Sequence, residues 1–195
     1  MTAETVARES LWFAEKMSLA LCQAWGRIQL GWARAERARP EALAELEAGL
    51  EEASQIGARR LEPFYLGLVA EVRSRAGQHD AATATLAHAF AALATSGDMP
   101  VAADLHRLRA LAALRVFASS RGEVLADLER APELARQQGA RSLELRAARD
   151  LARLWAEQGE RRTAHDLLAP IYGCFTKGFD TADLKDAKAL LDELA

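Results

Sequence analysis

The stretch GARRLE begins at Gly57, and at Gly139 the chain reads GARSLE. A separation of roughly 80 residues is too long for one hairpin, so the near-identity points to a repeated supersecondary unit. A third glycine, Gly97 in TSGDMP, stands midway between the two, and Gly178 continues the series about as far beyond Gly139. Each glycine closes a run of apolar residues at helical spacing, where a helix C-terminus favours glycine. A period near 40 with this punctuation predicts a helical hairpin repeated along a solenoid.

A second marker recurs inside the units. RAGQHDAATATLAHAF (Arg75 to Phe90) and EQGERRTAHDLLAPIY (Glu157 to Tyr172) each place a turn glycine five residues before a small residue, Gly77 with Ala82 and Gly159 with Ala164. Ala89 and Ile171 come seven further on, and Ala70 and Ala152 lie seven before the glycines. Helices approach closely only where the crossing side chains are small, which explains why such positions recur. The expected helices run over about 3–16, 18–37, 40–56, 60–76, 79–96, 100–118, 121–138, 142–158, 161–176 and 181–194.

Composition agrees with an all-α chain. Half of the 195 residues are apolar, proline is scarce, and the Val and Ile that strands would need are few. The net charge of −3 argues against a general nucleic-acid binder. Of 25 basic residues only four are lysines, Lys16, Lys177, Lys185 and Lys188. Cys22 and Cys174 lie far apart and form no metal pattern, so reduced thiols in a cytoplasmic protein are expected. Glu4, Arg8 and Glu9 interrupt the N-terminus where a signal peptide would be apolar. The longest uncharged run, Ala81 to Gly97, is too short and too weakly hydrophobic to span a bilayer.

With its small residues on both helices and a Gly-led turn between them, this pattern resembles the tetratricopeptide repeat, here with units somewhat longer than usual. The segment Asp104-Leu105-His106-Arg107-Leu108-Arg109-Ala110 and the run from Gly139 to the end are similar to the C-terminal tetratricopeptide region of bacterial predicted ATPases and adenylate/guanylate cyclase-like regulators. The resemblance covers essentially the whole chain and is strongest from Gly139 onward. In that family the catalytic domains lie upstream, so the resemblance implies a scaffold and regulatory module without cyclase or ATPase activity. It divides 1–195 into one repeat domain with units at 1–17 (a half repeat), 18–57, 58–97, 98–139 and 140–178 and a capping helix at 179–195. RESLWFAEK resembles the second helix of a repeat whose first is missing, so the chain is expected to begin mid-repeat.

Catalytic motifs find no support. GCFTKGF (Gly173 to Phe179) has glycines at phosphate-loop spacing, but Phe179 and Asp180 stand where Lys and Ser/Thr are needed. A helix end at Gly178, with Asp180 or Thr181 capping the last helix and Phe179 as a staple, is the expectation there. His79, His88, His106 and His165 make no HxxxH or HxxE pair. No Ser or Cys lies in a G-x-S-x-G elbow. Neither a cofactor nor a metal is expected.

The arginines are more suggestive. In tetratricopeptide arrays the first helix of each hairpin lines the concave surface. Arg146, Arg149 and Arg153 share one face of such a helix, and the register of small residues puts Arg75, Arg107 and Arg115 on the same wall. The helices behind are acidic: PEALAELEAGLEE carries five glutamates and no base. One reading is a groove for an acidic protein or peptide, since Arg suits bidentate carboxylate recognition. The other is solvated arginines paired with Glu144, Asp150 or Glu157 on their own helix. Trp25 and Trp32, seven apart, are either core residues or an apolar anchor at the groove's N-terminal end.

The expectation is therefore a right-handed superhelix of about ten antiparallel helices, a non-enzymatic interaction module that binds neither nucleic acid nor membrane. A small-effector sensor and a fragment of a larger enzyme are the alternatives. Leu11, Trp12 and Phe13 in succession offer more apolar surface than one neighbouring helix covers, so a homodimer through residues 1–32 is expected.

Overall fold

A computed structural model describes residues 2–96, 101–115 and 121–195; Gly97, one of the period-marking glycines, lies outside the described residues. The protein is all-α, with no strand among the described residues. Its helices are α1 (Ala3–Lys16), α2 (Ala20–Ala35), α3 (Ala42–Gln55), α4 (Glu62–Arg75), α5 (His79–Ser96), α6 (Ala102–Arg115), α7 (Arg121–Gln137), α8 (Arg141–Glu157), α9 (Arg161–Gly173) and α10 (Ala182–Leu194). Alternate helices α2, α4, α6, α8 and α10 begin at Ala20, Glu62, Ala102, Arg141 and Ala182, which reproduces the period read from the glycines. No described helix is long and apolar enough to cross a membrane.

The chain forms two compact units, Met1–Asp98 and Met99–Ala195. In the first, each helix packs on the next from α1 to α5, and α2 also touches α4. In the second, the same holds from α6 to α10, with α8 touching both α6 and α10. Consecutive helices joined by short turns and packed side by side must run antiparallel, so each unit is a stack of helical hairpins.

The two units repeat each other at the offset of the opening hexapeptide. Buried Leu46, Val69, Ala70, Val72, Ala82 and Leu86 of the first unit correspond to buried Leu128, Leu151, Ala152, Leu154, Ala164 and Leu168 of the second. Gly57 and Gly77 correspond to Gly139 and Gly159, all four at positive φ. At Gly57 the Ala58 amide donates to the Ala53 carbonyl at 2.8 Å, and at Gly139 the Ala140 amide donates to the Ala135 carbonyl at 2.9 Å. This is the bond that ends a helix on a left-handed residue. Even an ion pair is duplicated, Arg27 with Glu45 at 3.5 Å and Arg109 with Asp127 at 2.6 Å.

Two turns use the same left-handed geometry without glycine. Ser18 (φ 54°) ends α1 and Ala38 (φ 51°) follows α2, with the Leu19 amide bonded to Ala14 and the Arg39 amide to Arg34. Helix α2 accordingly stops at Ala35, short of the expected Arg37. The largest difference from expectation is in the second unit. Helix α9 ends at Gly173, short of Thr176, and Gly178 closes no helix but turns the connection into α10. The cause is packing: Phe175 leaves the helical path to lie on the core of α8, α9 and α10. Thr181 is the N-cap residue, yet its hydroxyl donates to the Gly178 carbonyl at 2.7 Å rather than capping the helix, and Phe179 leans on Tyr172 while staying half exposed.

Helices α2 and α3 approach each other closely. A methyl group on Gly31 would lie 2.7 Å from the Leu46 amide nitrogen, and one on Gly49 would lie 2.8 Å from the Ala24 carbonyl oxygen. Backbone cannot give way as a side-chain tip can. Gly49→Ala is expected to destabilise the protein by about 1–3 kcal/mol. Ala38→Gly should instead raise stability by about 0.5 kcal/mol, because relief of the left-handed strain exceeds glycine's entropic cost. Urea unfolding of the two variants measures both, and opposite signs are the expected result.

Candidate functional site

The structure gives each of the sequence-nominated arginines a separate fate. Arg75, on the last turn of α4, lies over the Trp32 ring at 5.5 Å and donates to Glu36 at 2.8 Å and Glu71 at 2.6 Å. Arg107 on α6 is buried, with a side chain 5 % exposed; its Nε donates to Asp104 at 2.7 Å and its Nη1 to Asp150 of α8 at 3.0 Å. It therefore belongs to the interior and lines no groove. A cation so deep is tolerated only with carboxylates against it.

From Asp150 the network continues outward. Arg149 donates to Asp150 through Nε and Nη2 and to Asp186 of α10 at 3.2 Å, while Arg146 Nε donates to Asp183 at 2.7 Å. The three arginines 107, 146 and 149 thus face four aspartates, Asp104, Asp150, Asp183 and Asp186. An acidic partner would meet no excess positive charge here. Of the expected stripe only Arg115 and Arg153 are exposed and without an ionic partner among the described residues. Trp25 and Trp32 are half-buried against the core of Ile28, Leu46, Tyr65, Val69 and Val72.

Uncompensated cations lie elsewhere, on the turn of the repeated hexapeptide. Arg59 and Arg60, between α3 and α4, have no ionic partner among the described residues. They line an open cleft of about 560 Å³ with Glu62 on α4 and His88, Ala91 and Thr95 on α5. An adjoining cleft of about 410 Å³ shares Glu62 and His88 and runs past Glu47 and Glu51 of α3. It contains Arg73, which donates to Glu47 at 2.7 Å and to the buried Thr85 hydroxyl. The combined trough is cationic at the α4 N-terminus, with Glu51 along α3 and Glu47 already paired with Arg73.

The second unit builds the equivalent cleft, about 460 Å³, between the turn at Gly139 and α9. Its Asp166, Leu167, Pro170 and Cys174 stand where the first unit has Ala84, Thr85, His88 and Ala92. Glu144, the counterpart of Glu62, is buried and accepts from Arg136 Nε at 2.8 Å; Arg141 remains unpaired among the described residues. The hexapeptide marks its turn through glycine, while its arginines fall outside any helical stripe, so helical spacing carries no signal for them.

One further cluster bears on stability. Asp127 of α7 accepts from Arg109 at 2.6 and 2.7 Å and lies 2.8 Å from His106 Nδ1. Burial alone would raise the Asp127 carboxyl, but the bonds from Arg109 and His106 outweigh it and hold its pKa below the ordinary aspartate value. A group depressed in this way stabilises the fold above its unfolded pKa, about 3.9, and loses that contribution as pH falls through its lower folded value.

Removing Arg107 with Arg107→Ala should cost about 3–5 kcal/mol, because Asp104 is left mostly buried without its cation and Asp150 keeps only Arg149; thermal or urea unfolding reads it. Wild-type stability should fall below about pH 4, with Asp127→Asn less stable at neutral pH and losing part of that acid slope. Urea midpoints of both proteins across the acid range are the check.

No family model matches the chain, and no curated protein matches it.

Proposed function

We propose that this chain is a non-enzymatic protein-interaction module of a regulatory protein, and that it holds a polypeptide segment in the trough between α3 and α5. The supporting observation is the pair Arg59 and Arg60, unpaired among the described residues at the mouth of a cleft whose far side carries Glu51. The partner presents an acidic side chain to the two arginines, which suit bidentate carboxylate recognition. Its following residues are neutral or basic where they pass α3. The stripe from Arg107 to Arg149 is not this site, because aspartates already occupy it.

A bacterial regulator as the setting is supported by the resemblance to tetratricopeptide regions of ATPase and cyclase-like proteins. A reducing, cytoplasmic location is supported by two free, exposed cysteines, Cys22 and Cys174. A small effector is the weaker reading. Ligand pockets enclose most of their ligand, whereas Arg59 and Arg60 stand on an open rim.

A fluorescein-labelled peptide with a cluster of Asp and Glu should bind at low salt and weaken as salt rises past about 0.15 M, where screening is effective within about 8 Å. Arg59→Ala with Arg60→Ala should lower that affinity about tenfold, roughly one charge-assisted bond lost, without shifting the melting temperature. Fluorescence anisotropy measures it. Unchanged binding by the double variant would remove the trough from consideration.

A further inference from the structure

Helix α1 carries a second surface, independent of the trough. Ala7, Leu11 and Ala14 are buried, and Leu11 joins Ala7 and Leu30 in a small core cluster, so Leu11 belongs to the interior and not to any oligomer contact. Its neighbours Trp12 and Phe13 are 59 % and 55 % exposed. At 100° per residue, Glu9, Trp12, Phe13 and Lys16 form one stripe on the side of α1 opposite the buried residues. Lys16 Nζ lies 5.1 Å over the Trp12 ring, and Glu9 has no ionic partner among the described residues.

This stripe is self-complementary when reversed. A two-fold axis placed between Trp12 and Phe13 brings Trp12 of one copy against Phe13 of the other. The same operation sets Glu9 opposite Lys16. Apolar residues meet apolar residues and each charge meets its opposite. A parallel pairing would instead set Glu9 against Glu9 and Lys16 against Lys16. Closed two-fold contacts require this kind of self-match.

We propose that the chain forms a two-fold homodimer through antiparallel packing of α1 on α1 of a second copy, centred on Trp12 and Phe13 and oriented by the Glu9–Lys16 pairs. The match under reversal names the occupant: a different protein would have no reason to complement the stripe and its reverse equally. The helix is 14 residues long, about 21 Å, so the contact is smaller than the roughly 800 Å² per partner of a standard interface. Association is expected in the micromolar range.

Sedimentation velocity over about 1 to 500 µM, bracketing that range, provides the test. The wild type should shift from monomer to dimer. Glu9→Lys and Lys16→Glu should each weaken the dimer at least tenfold, by placing like charges across the axis twice. The combined variant E9K/K16E should recover most of the wild-type association, because the reversed pairs match again. Trp12→Glu should give a monomer. All these side chains are exposed, and unchanged circular dichroism melts of the monomeric forms exclude unfolding as the cause. A wild type that stays monomeric throughout overturns the proposal and leaves the face to an unlike partner. A double variant as weak as the single ones overturns the antiparallel geometry.

Discussion

Close approach of helix backbones is the constraint on which the rest depends. In the first unit, Gly31 and Gly49 let α2 and α3 touch main chain to main chain, and a methyl on Gly26 would stand only 3.1 Å from the Leu11 Cα of α1. In both units alanines carry the same role further along, with Ala70, Ala82, Ala152 and Ala164 almost wholly buried. A core made largely of alanine buries little apolar area per residue, so its stability rests on tight fit and on length of contact. That is why each hairpin needs its neighbours, and why the pattern repeats.

The same thin core explains the ionic architecture. Between helices held this close, the spaces at the rims are filled by long side chains, and arginine reaches across where leucine would not. Arg27 and Arg34 both reach Glu45, while Arg73 spans from α4 to Glu47 and Thr85. Arg107 is the extreme case, almost wholly inside and held between Asp104 and Asp150. Such pairs offer limited net stability, since desolvation offsets most of the attraction. They do penalise any register in which the carboxylate and guanidinium miss each other. Arg59 and Arg60 sit on a turn and have no ionic partner among the described residues.

The hairpin architecture was almost entirely legible in the sequence. Glycine at a helix end requires only local chemistry, and the four glycines at 57, 77, 139 and 159 mark turns because positive φ is strained for most other residues. Where the chain used Ser18 or Ala38 in that conformation, no local signal existed, and the α2 boundaries drifted by two residues. At Gly178 the signal was present but belonged to a connection, because Phe175 had already left the helix to meet the core. The burial of Leu11, and the half-burial of Trp25 and Trp32, on one side of their helices follows from the same periodicity.

Sequence by itself determined the all-α class, the repeat period and the small residues at helix crossings. Each of these depends on residues near in the chain or on steric size alone. Tertiary structure alone decided which arginines are free. Helical spacing puts Arg146 and Arg149 on one face, but their partners Asp183 and Asp186 come from a helix distant in the chain. Arg107 finds Asp150 over a similar separation. Whether a charge is spent inside the fold or offered at its surface is a property of pairs in space, and one-dimensional spacing carries only one member of each pair.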